Sequence, residues 1–339
     1  MYSVYQPWDK LKTCIVGKSY PPEFYSFITD PRVRNVMERI AIETEEDYQK
    51  FIKLLESFKV QVLRPNIEKS IDYYKVGDVF IPPPMAPADV SIMIGNKLYY
   101  RKSKDLFSYR NILKYVKNNG NEIKNNIFVS NSNTSRIGKD LYFGTFSDNT
   151  LDNTIFTSSR INEFSQEYRC HFINSEGHSD AVFCPVVPGL ILSLNDIQDY
   201  KVTFPDWEVV FLPESNLNKD DNFIKMKRKN NGKWWIPGEE DNDQFIEFVE
   251  NFLPDWLGYV EESVFDINII AIDKKNVVCL NYNKQVFDAF ERYGITPHII
   301  NFRHSLFWDC GLHCITSDLD REGNMEDYFP ERGSESIIS

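Results

Sequence analysis

The chain has 339 residues, of which 42% are hydrophobic, and this content predicts a globular protein with a sizeable core. Its 50 acidic residues outnumber its 38 basic residues, which gives a formal net charge of -12. Because phosphate contacts need clustered Lys and Arg, this balance argues against a nucleic-acid binder or a protein of anionic membranes. It suits either a small cationic substrate or simple solubility.

The cysteines are dispersed and form no CxxC pair, a spacing that fits neither a disulfide framework nor a zinc site. The N-terminal stretch "MYSVYQPWDKLK" lacks the apolar region of a signal peptide, and no apolar run is long enough to predict a membrane span. The histidines also lack metal-ligand spacing. We therefore expect a reduced, cytoplasmic protein without a metal. The six cysteines are Cys14, Cys170, Cys184, Cys279, Cys310 and Cys314.

Hairpin, helix and strand patterns recur about five times in chain order, which predicts a repeat of structure rather than of letters. Near the start, "TCIVGKS" precedes a helix pattern and the strand "VQVLRP". "VSIMI-GN-KLYY" is a hairpin whose Gly95-Asn96 turn allows positive φ, and the helix "LFSYRNILKYVKNNG" and the strand "IFVS" follow it. "KDLYFGTF" is followed by a helix ending in "FSQEY" and by the strand "RCHFIN".

Two more hairpins complete the series. "AVFCPVV-PG-LILSL" turns at Pro188-Gly189, and "FDINIIAI-DKK-NVVCLN" precedes the helix "KQVFDAFERYGI" and the strand "HIINF". The last strand pattern, "LHCITSDL", is expected to pair with "TCIVGKS" and so to close the first unit. No flexible linker divides the units, so residues 1–339 are expected to form one domain. The polar segment 216–243 is predicted to be a surface loop or flap.

Cys314 lies in "GLHCITSDLDREG", close to the end of the chain. Free cysteine is usually a small, inert core residue, and this packing interpretation stands beside a catalytic one. If the last strand joins the first unit, Cys314 lies near the axis and faces the other units. His313 would then point to the opposite side of the strand.

Two further stretches offer titratable groups at strand edges. His178 and Asp180 lie in "SEGHSDAVF", where alternation places both side chains on one side. Asp89 lies in "PPMAPADVSIMIGN", at the entry to a hairpin. Both stretches also have a purely structural interpretation. His178 could be a histidine held by the neighbouring carboxylate, and Asp89 could be an ordinary turn aspartate. A cysteine nucleophile needs an acid-base partner, so the three stretches together favour a site.

These stretches carry a family resemblance. "WDKLKTCIVGK", "GHSDAVFCPVVPGLILS" and "YGITPHIINFRHSLFWDCGLHCITSDLDREG" resemble blocks of the amidinotransferases of the guanidino-group-modifying superfamily, among them the glycine and inosamine-phosphate amidinotransferases. The resemblance runs almost end to end. It implies an α/β fold, a five-module pseudo-symmetric α/β propeller of the pentein type, and chemistry without a cofactor.

The resemblance also implies roles for particular residues. Cys314 would be the nucleophile that takes the amidino group from arginine or a related guanidine, and His178 the acid-base group. Asp89 and Asp180 would bind the guanidinium. Asn133 stands where the family has an aspartate that orients the histidine.

Other positions depart from the family pattern. Ile197 replaces the arginine that binds the donor carboxylate in the family, and Ala88 replaces another arginine. Trp308 and Asp309 stand in place of a glycine-rich run and are expected to narrow the pocket.

Two alternatives to the amidinotransferase remain open at this stage. One is a guanidine hydrolase of the arginine deiminase or dihydrolase type, and the other is a catalytically weak homologue that binds guanidines. All three interpretations, including the amidinotransferase, involve small-molecule ligands, and none involves nucleic acid or a membrane. The sequence leaves a monomer and a homodimer open.

Overall fold

Short strands alternate with helices along the chain. The computed structural model describes residues 1–67, 74–101, 106–145, 151–175, 178–196, 199–212, 220–230, 232–257, 264–333 and 337–338. The strands are β1 (Lys10–Val16), β2 (Gln61–Leu63), β3 (Lys75–Val76), β4 (Val79–Phe80), β5 (Ser91–Ile94), β6 (Lys97–Tyr100), β7 (Glu122–Asn125), β8 (Thr134–Ile137), β9 (Asp140–Thr145), β10 (Arg169–Asn174), β11 (Phe183–Val187), β12 (Leu190–Ser193), β13 (Glu208–Phe211), β14 (Ile270–Asp273), β15 (Asn276–Cys279), β16 (Thr296–Ile299), β17 (Thr316–Glu322) and β18 (Ile337–Ile338). The helices are α1 (Pro31–Ser57), α2 (Pro87–Val90), α3 (Leu106–Asn118), α4 (Leu151–Phe164), α5 (Tyr200–Thr203), α6 (Asp221–Lys229), α7 (Asp243–Phe252), α8 (Val264–Ile267), α9 (Lys284–Tyr293) and α10 (Ser305–Trp308).

Five small sheets repeat one topology, in which an antiparallel hairpin is joined by a third, parallel strand. Their strand orders are β17-β1-β2, β5-β6-β7, β8-β9-β10, β11-β12-β13 and β14-β15-β16, and β18 extends the third of them. The parallel strand returns to its hairpin through a helix, because a parallel partner needs a crossover connection. The prediction of an α/β protein with five hairpin-helix-strand modules is confirmed.

The first module joins the two ends of the chain. Strand β17 pairs antiparallel with β1 from Lys10↔Glu322 to Val16↔Thr316, and β2 adds in parallel on the other side of β1. Between β1 and β2 lies α1, which begins at Pro31 after the N-cap Asp30, whose side chain accepts a hydrogen bond from the Arg32 backbone N–H. The predicted pairing of the last strand with the first is confirmed.

Two predicted strand positions were wrong. In the second module the parallel strand is β7, whereas the sequence favoured Ile127–Ser130. Helix α3 ends at Asn118, and Gly120 adopts φ +88°, so the chain turns back at once and Ile123 pairs with Leu98. Cys314 also lies before its strand, in a turn that Ile315 N closes by donating to Gly311 O at 3.1 Å.

The segment 216–243 is not a surface loop in its described part. Residues 216–219 and 231 lie outside the described residues, but the remainder forms α6 and then buries Trp234 and Trp235, which are 1% and 6% exposed. Trp234 packs edge-on against Phe245 of α7 and Phe307 of α10. The apolar residues dispersed among the charges therefore belong to the largest core cluster. Their packing partners are distant in sequence, so the polar composition of the segment gave no indication of this burial.

A buried ion cluster connects the modules near their centre. Asp318 of β17 accepts from Arg136 Nη2 of β8 at 2.7 Å and from Arg321 Nε at 2.6 Å, and all three side chains are nearly inaccessible to water. Arg321 also donates to the carbonyl of Ala271 in β14, and Arg136 donates to that of Met93 in β5. The cluster thus joins strands of four modules.

None of the described helices is long and apolar enough to cross a membrane.

Candidate active site

One turn from each module meets at a shared centre, and hydrogen bonds run from module to module around it. Ala88 N donates to Cys314 O at 3.3 Å, and Cys314 N donates to Asn268 Oδ1 at 3.1 Å. Asn268 Nδ2 donates to Asp180 O, Asp180 N donates to Ser132 O, and Ser132 N returns to Ala88 O. Each of these turns comes directly before the first strand of its hairpin, so the repeated topology brings the five turns together.

Cys314 presents its thiol at this centre. Its Sγ lies 3.6 Å from Asp180 Oδ2 and accepts from Asn268 Nδ2 at 3.2 Å. Burial first, and then the negative charges of Asp180 and Asp89, raise the pKa of the thiol well above its usual value. A bound cation would offset these negative charges and favour the thiolate.

Asn268 is a site residue that the sequence analysis missed. Besides contacting the thiol, its Oδ1 accepts from the backbone N–H groups of His313 and Cys314. Its side chain lies flat against Gly311, where an added Cβ would come within 2.3 Å of Asn268 Oδ1. Gly311 is therefore required at this position, because a side chain there would clash with Asn268. The position of Asn268 in the repeat could have indicated it. Asn268 lies two residues before β14, just as Cys314 lies two residues before β17 and Asp89 two residues before β5.

Asp180 lies in a short 3-10 turn, Ser179–Ala181, and is 7% exposed. Its Oδ2 accepts from His313 Nδ1 at 2.7 Å, and His313 Nε2 is 3.2 Å from Asn131 Nδ2. This geometry assigns the proton of a neutral His313 to Nδ1. Asp180 Oδ1 has no hydrogen-bond partner among the described residues, although it is buried. An unpaired buried carboxylate oxygen is costly, and a cationic N–H donor would satisfy it.

His178 and Asp89 stand together on the open side of the site. His178 Nδ1 is 3.9 Å from Asp89 Oδ1. Burial lowers the pKa of His178, but the charges of Asp89, Asp180 and Asp309 outweigh burial and leave the pKa raised. Burial raises the pKa of Asp89, and the nearby charge of Asp180 adds to this. Asp89 Oδ1 is a second carboxylate oxygen that lacks a hydrogen-bond partner within the described part of the chain.

Of the five predicted site residues, Cys314, His178 and Asp89 line one cleft, and Asp180 contacts the Cys314 thiol from outside its lining. Asn133 bonds within its own loop. Asn133 Oδ1 accepts from Ser130 N and from Thr134 Oγ1, both at 2.9 Å on its own loop. No bond between Asn133 and His178 occurs among the described residues. Ile197, a position that departs from the family, lies outside the described residues.

The cleft in front of Cys314 has a volume of about 250 Å³. Its lining includes the polar residues Asp89, His178 and Asp309 and the aromatic residues Trp256 and Trp308. Across the described residues, no group of three or more His, Cys, Asp or Glu side chains is arranged to hold a metal ion. The arrangement suits a planar cation held by carboxylates in front of a sulfur atom.

Comparison with known proteins finds sequence similarity to amidinotransferases. The sequence matches no protein-family model. It is 25% identical over 170 residues to the mitochondrial glycine amidinotransferase of Xenopus laevis, and 21% identical over 200 residues to the L-arginine:L-lysine amidinotransferase of Pseudomonas savastanoi pv. phaseolicola. These matches cover 48% and 58% of this chain, and only 32% and 45% of the two relatives.

The fold comparison covers nearly the whole chain. An amidinotransferase from Microseira wollei in the saxitoxin biosynthetic pathway aligns with a TM-score of 0.68 and 18% identity, over 97% of this chain and 99% of that one. The inosamine-phosphate amidinotransferase from Streptomyces griseus aligns with a TM-score of 0.66 over the same shares. The chain has the fold of these amidinotransferases. More distantly, it shares the fold with the dimethylarginine dimethylaminohydrolase of Pseudomonas aeruginosa, at a TM-score of 0.55 and 10% identity over 91% of this chain and all of the other.

Proposed function

We propose that the protein is an amidinotransferase that moves an amidino group from arginine, or a related guanidine, to a primary amine. The observation that carries the proposal is the thiol of Cys314 near two carboxylates, Asp89 and Asp180, each with an oxygen that lacks a hydrogen-bond partner among the described residues. The named relatives supply the reaction class, since those proteins are described as amidinotransferases.

The two carboxylates are suited to the donor. A guanidinium is a planar cation with a fork of N–H donors, which carboxylates bind by short, charge-assisted hydrogen bonds. Asp180 Oδ1 and Asp89 Oδ1 would accept from this fork and hold the guanidinium carbon in front of Cys314 Sγ. The cation also offsets the negative field that raises the thiol pKa, so binding of the donor favours the thiolate.

The reaction then has two half-reactions. The thiolate of Cys314 attacks the guanidinium carbon and forms an S–C bond, while the bond from that carbon to the donor's alkyl nitrogen breaks. The departing amine takes a proton from His178, and an amidino-cysteine (a thiouronium) remains. An acceptor amine then gives a proton to His178 and attacks the same carbon, and the S–C bond breaks to restore the thiolate.

Asn133 stays a prediction as the residue that orients His178. An amide can hold an imidazole, as in Cys-His-Asn proteases, but it cannot stabilise an imidazolium by charge. Its Oδ1 is engaged by Ser130 and Thr134, so an orienting role would fall to its Nδ2.

The products of arginine turnover test the proposal against the hydrolase. An amidinotransferase releases ornithine and transfers the amidino group to an added amine. A deiminase releases citrulline whether or not an amine is added. A dihydrolase-type enzyme uses water in place of the acceptor, so its turnover does not depend on an added amine. We expect ornithine formation that depends on an acceptor after the first turnover, measured by mass spectrometry. Citrulline as the main product would contradict the proposal, and Cys314→Ala is the inactive control.

A further inference from the structure

We propose that His313 and Asn131 are positioning residues of the donor site, which hold one oxygen of Asp180 and leave its negative charge for the guanidinium. This inference rests on the proposed amidino transfer and adds two residues to the same site. Both side chains line a smaller cavity of about 50 Å³, and neither lines the cleft in front of Cys314, so both would act through Asp180. The inference follows from the direction of the hydrogen bonds that run from the buried ion cluster to Asp180.

The amide of Asn131 has one orientation that its neighbours allow. Arg136 Nη2 lies 2.9 Å from one amide atom of Asn131, and because a guanidinium only donates, that atom is Oδ1. The other amide atom, Nδ2, therefore faces His313 Nε2 at 3.2 Å. Arg136 is itself fixed, since it is 4% exposed and also donates to Asp318 at 2.7 Å. The ion cluster thus determines which way the amide points.

The amide in turn determines which nitrogen of His313 carries the proton. Because Nδ2 of Asn131 is a donor, His313 Nε2 accepts and the proton of the neutral ring lies on Nδ1. Nδ1 then donates to Asp180 Oδ2 at 2.7 Å. A second proton, on Nε2, would point at the N–H group of Asn131 and lose this hydrogen bond. The chain of bonds therefore favours a ring that donates to Asp180 without bringing a positive charge.

A neutral donor suits the role of Asp180. A lysine or arginine in the place of His313 would also hold the carboxylate, but its charge would offset the charge that attracts the guanidinium. The bond from His313 and a longer one from Asn268 Nδ2, at 3.3 Å, both engage Oδ2. Oδ1 remains without a hydrogen-bond partner among the described residues. Asp180 is thus held by one oxygen and can present the other to the donor.

A second asparagine-histidine pair in the protein has the opposite orientation. Asn276 Nδ2 donates to Asp273 Oδ1 at 3.0 Å, so Asn276 Oδ1 faces His298 Nε2, also at 3.0 Å. Because an amide oxygen only accepts, the proton of a neutral His298 lies on Nε2. Asn276 and His298 belong to β15 and β16 and line neither the cleft nor the cavity with His313. This pair serves as an internal reference.

Nitrogen-15 NMR of the histidine rings tests the proton positions. The chain has five histidines, and the signals lost in His313→Asn identify His313. At about pH 8, where free histidine is neutral, we expect the proton on Nδ1 of His313 and on Nε2 of His298. A proton on Nε2 of His313 would overturn the inference. The measurement needs neither substrate nor turnover, so its result does not depend on the proposed function.

Asn131→Asp tests what the amide does for binding, because it places an acceptor beside His313 Nε2. We expect the ring in this variant to carry protons on both nitrogens at pH values where the wild-type ring carries one. The imidazolium would offset the charge of Asp180, so the affinity for arginine should fall about tenfold, the equivalent of one charge contact. An added negative charge acting alone would instead strengthen binding of the cation. Unchanged or tighter binding of arginine would overturn the inference.

Asn276→Asp is the matched control, because it makes the same substitution beside His298, outside the site. We expect its affinity for arginine to equal that of the parent protein. A loss of affinity as large as that in Asn131→Asp would show that the effect is not specific to the bond with His313, and would count against the inference.

Two substitutions of His313 separate positioning from packing. Calorimetry in a Cys314→Ala background measures the affinity for arginine without turnover. His313→Leu removes the donor to Asp180, and we expect binding at least about tenfold weaker than in the parent. His313→Asn should bind within about threefold of the parent, because its amide N–H can take the place of Nδ1–H. Equal affinity in His313→Leu would count against the inference alone, whereas a parent that binds no guanidine would count against the proposed function.

Discussion

At the residue scale, four of the five candidates could be proposed from local features, namely residue type and position before a hairpin. Cys314, His178, Asp89 and Asp180 are residue types that catalysis uses, and each lies at the entry to a hairpin. Asn268 could not be predicted in this way. Its role depends on contacts with Cys314 and Gly311, more than forty positions away, and the string "FDINIIAI" is typical of an ordinary strand.

Asn268 provides the residue-scale prediction. Asn268→Ala removes the donor to Cys314 Sγ and the acceptor of two backbone N–H groups. Because the thiol would lose its fixed position, we expect kcat to fall by about 100-fold. The rate at which iodoacetamide alkylates Cys314 should also fall at neutral pH, since the lost hydrogen bond favours the thiolate.

The control for this prediction is Asn281→Ala, on the same module. Asn281 is exposed and bonds only weakly, at 3.4 Å, to Asp266. We expect its kcat and its alkylation rate to match those of the wild type. An Asn268→Ala enzyme with normal kcat would show that the amide does not position the thiol.

At the scale of elements, strand and helix patterns were predicted better than their ends. The sequence places Cys314 inside a strand, but the strand begins two residues later, at Thr316. The difference matters chemically. In the turn, His313 and Cys314 both donate to Asn268 through their backbone N–H groups, and both side chains reach Asp180 Oδ2. His313 also contacts Asn131, whereas Cys314 lines the cleft.

The segment with Trp234 provides the element-scale prediction. A tryptophan in a flap could be removed at little cost, whereas Trp234 is 1% exposed and packs against Phe245 and Phe307. We expect Trp234→Ala to lower the free energy of unfolding by about 3–5 kcal/mol, measured by urea denaturation. Lys233→Ala, at the partly exposed neighbour, should change stability little. A stable Trp234→Ala would restore the interpretation of this segment as a flap.

At the scale of the whole molecule, the number of modules followed from repeated patterns, but the cluster that joins them did not. Arg136 and Asp318 are 182 positions apart and meet at the centre. The same cluster reaches the site, because Arg136 Nη2 also donates to Asn131 Oδ1, and Asn131 contacts His313. A buried network of this kind depends on closure of the whole fold, and no local pattern predicts it.

Asp318 provides the prediction at this scale. Burial alone would raise the pKa of Asp318, but Arg136 and Arg321 hold it well below its usual range. We expect Asp318→Asn to lower the free energy of unfolding by about 3–5 kcal/mol at neutral pH, because it leaves buried guanidinium charges without their partner.

The pH dependence of this loss has a definite sign. The folded protein keeps Asp318 ionised, so its contribution is complete above the unfolded pKa of about 4 and is lost as pH falls further. The gap between wild type and Asp318→Asn should therefore narrow below about pH 4 in urea titrations. Glu322→Gln, an exposed control on the same strand, should differ little from wild type at any pH. A gap that widens in acid would contradict the account.

The most direct test of the central claim is the intact mass of the protein after brief exposure to arginine and an acid quench. The account predicts that wild type gains the mass of one amidino group, that peptide mapping places it on Cys314, and that Cys314→Ala gains nothing. An adduct on another cysteine, or the same adduct on Cys314→Ala, would contradict the assignment of Cys314 as the nucleophile.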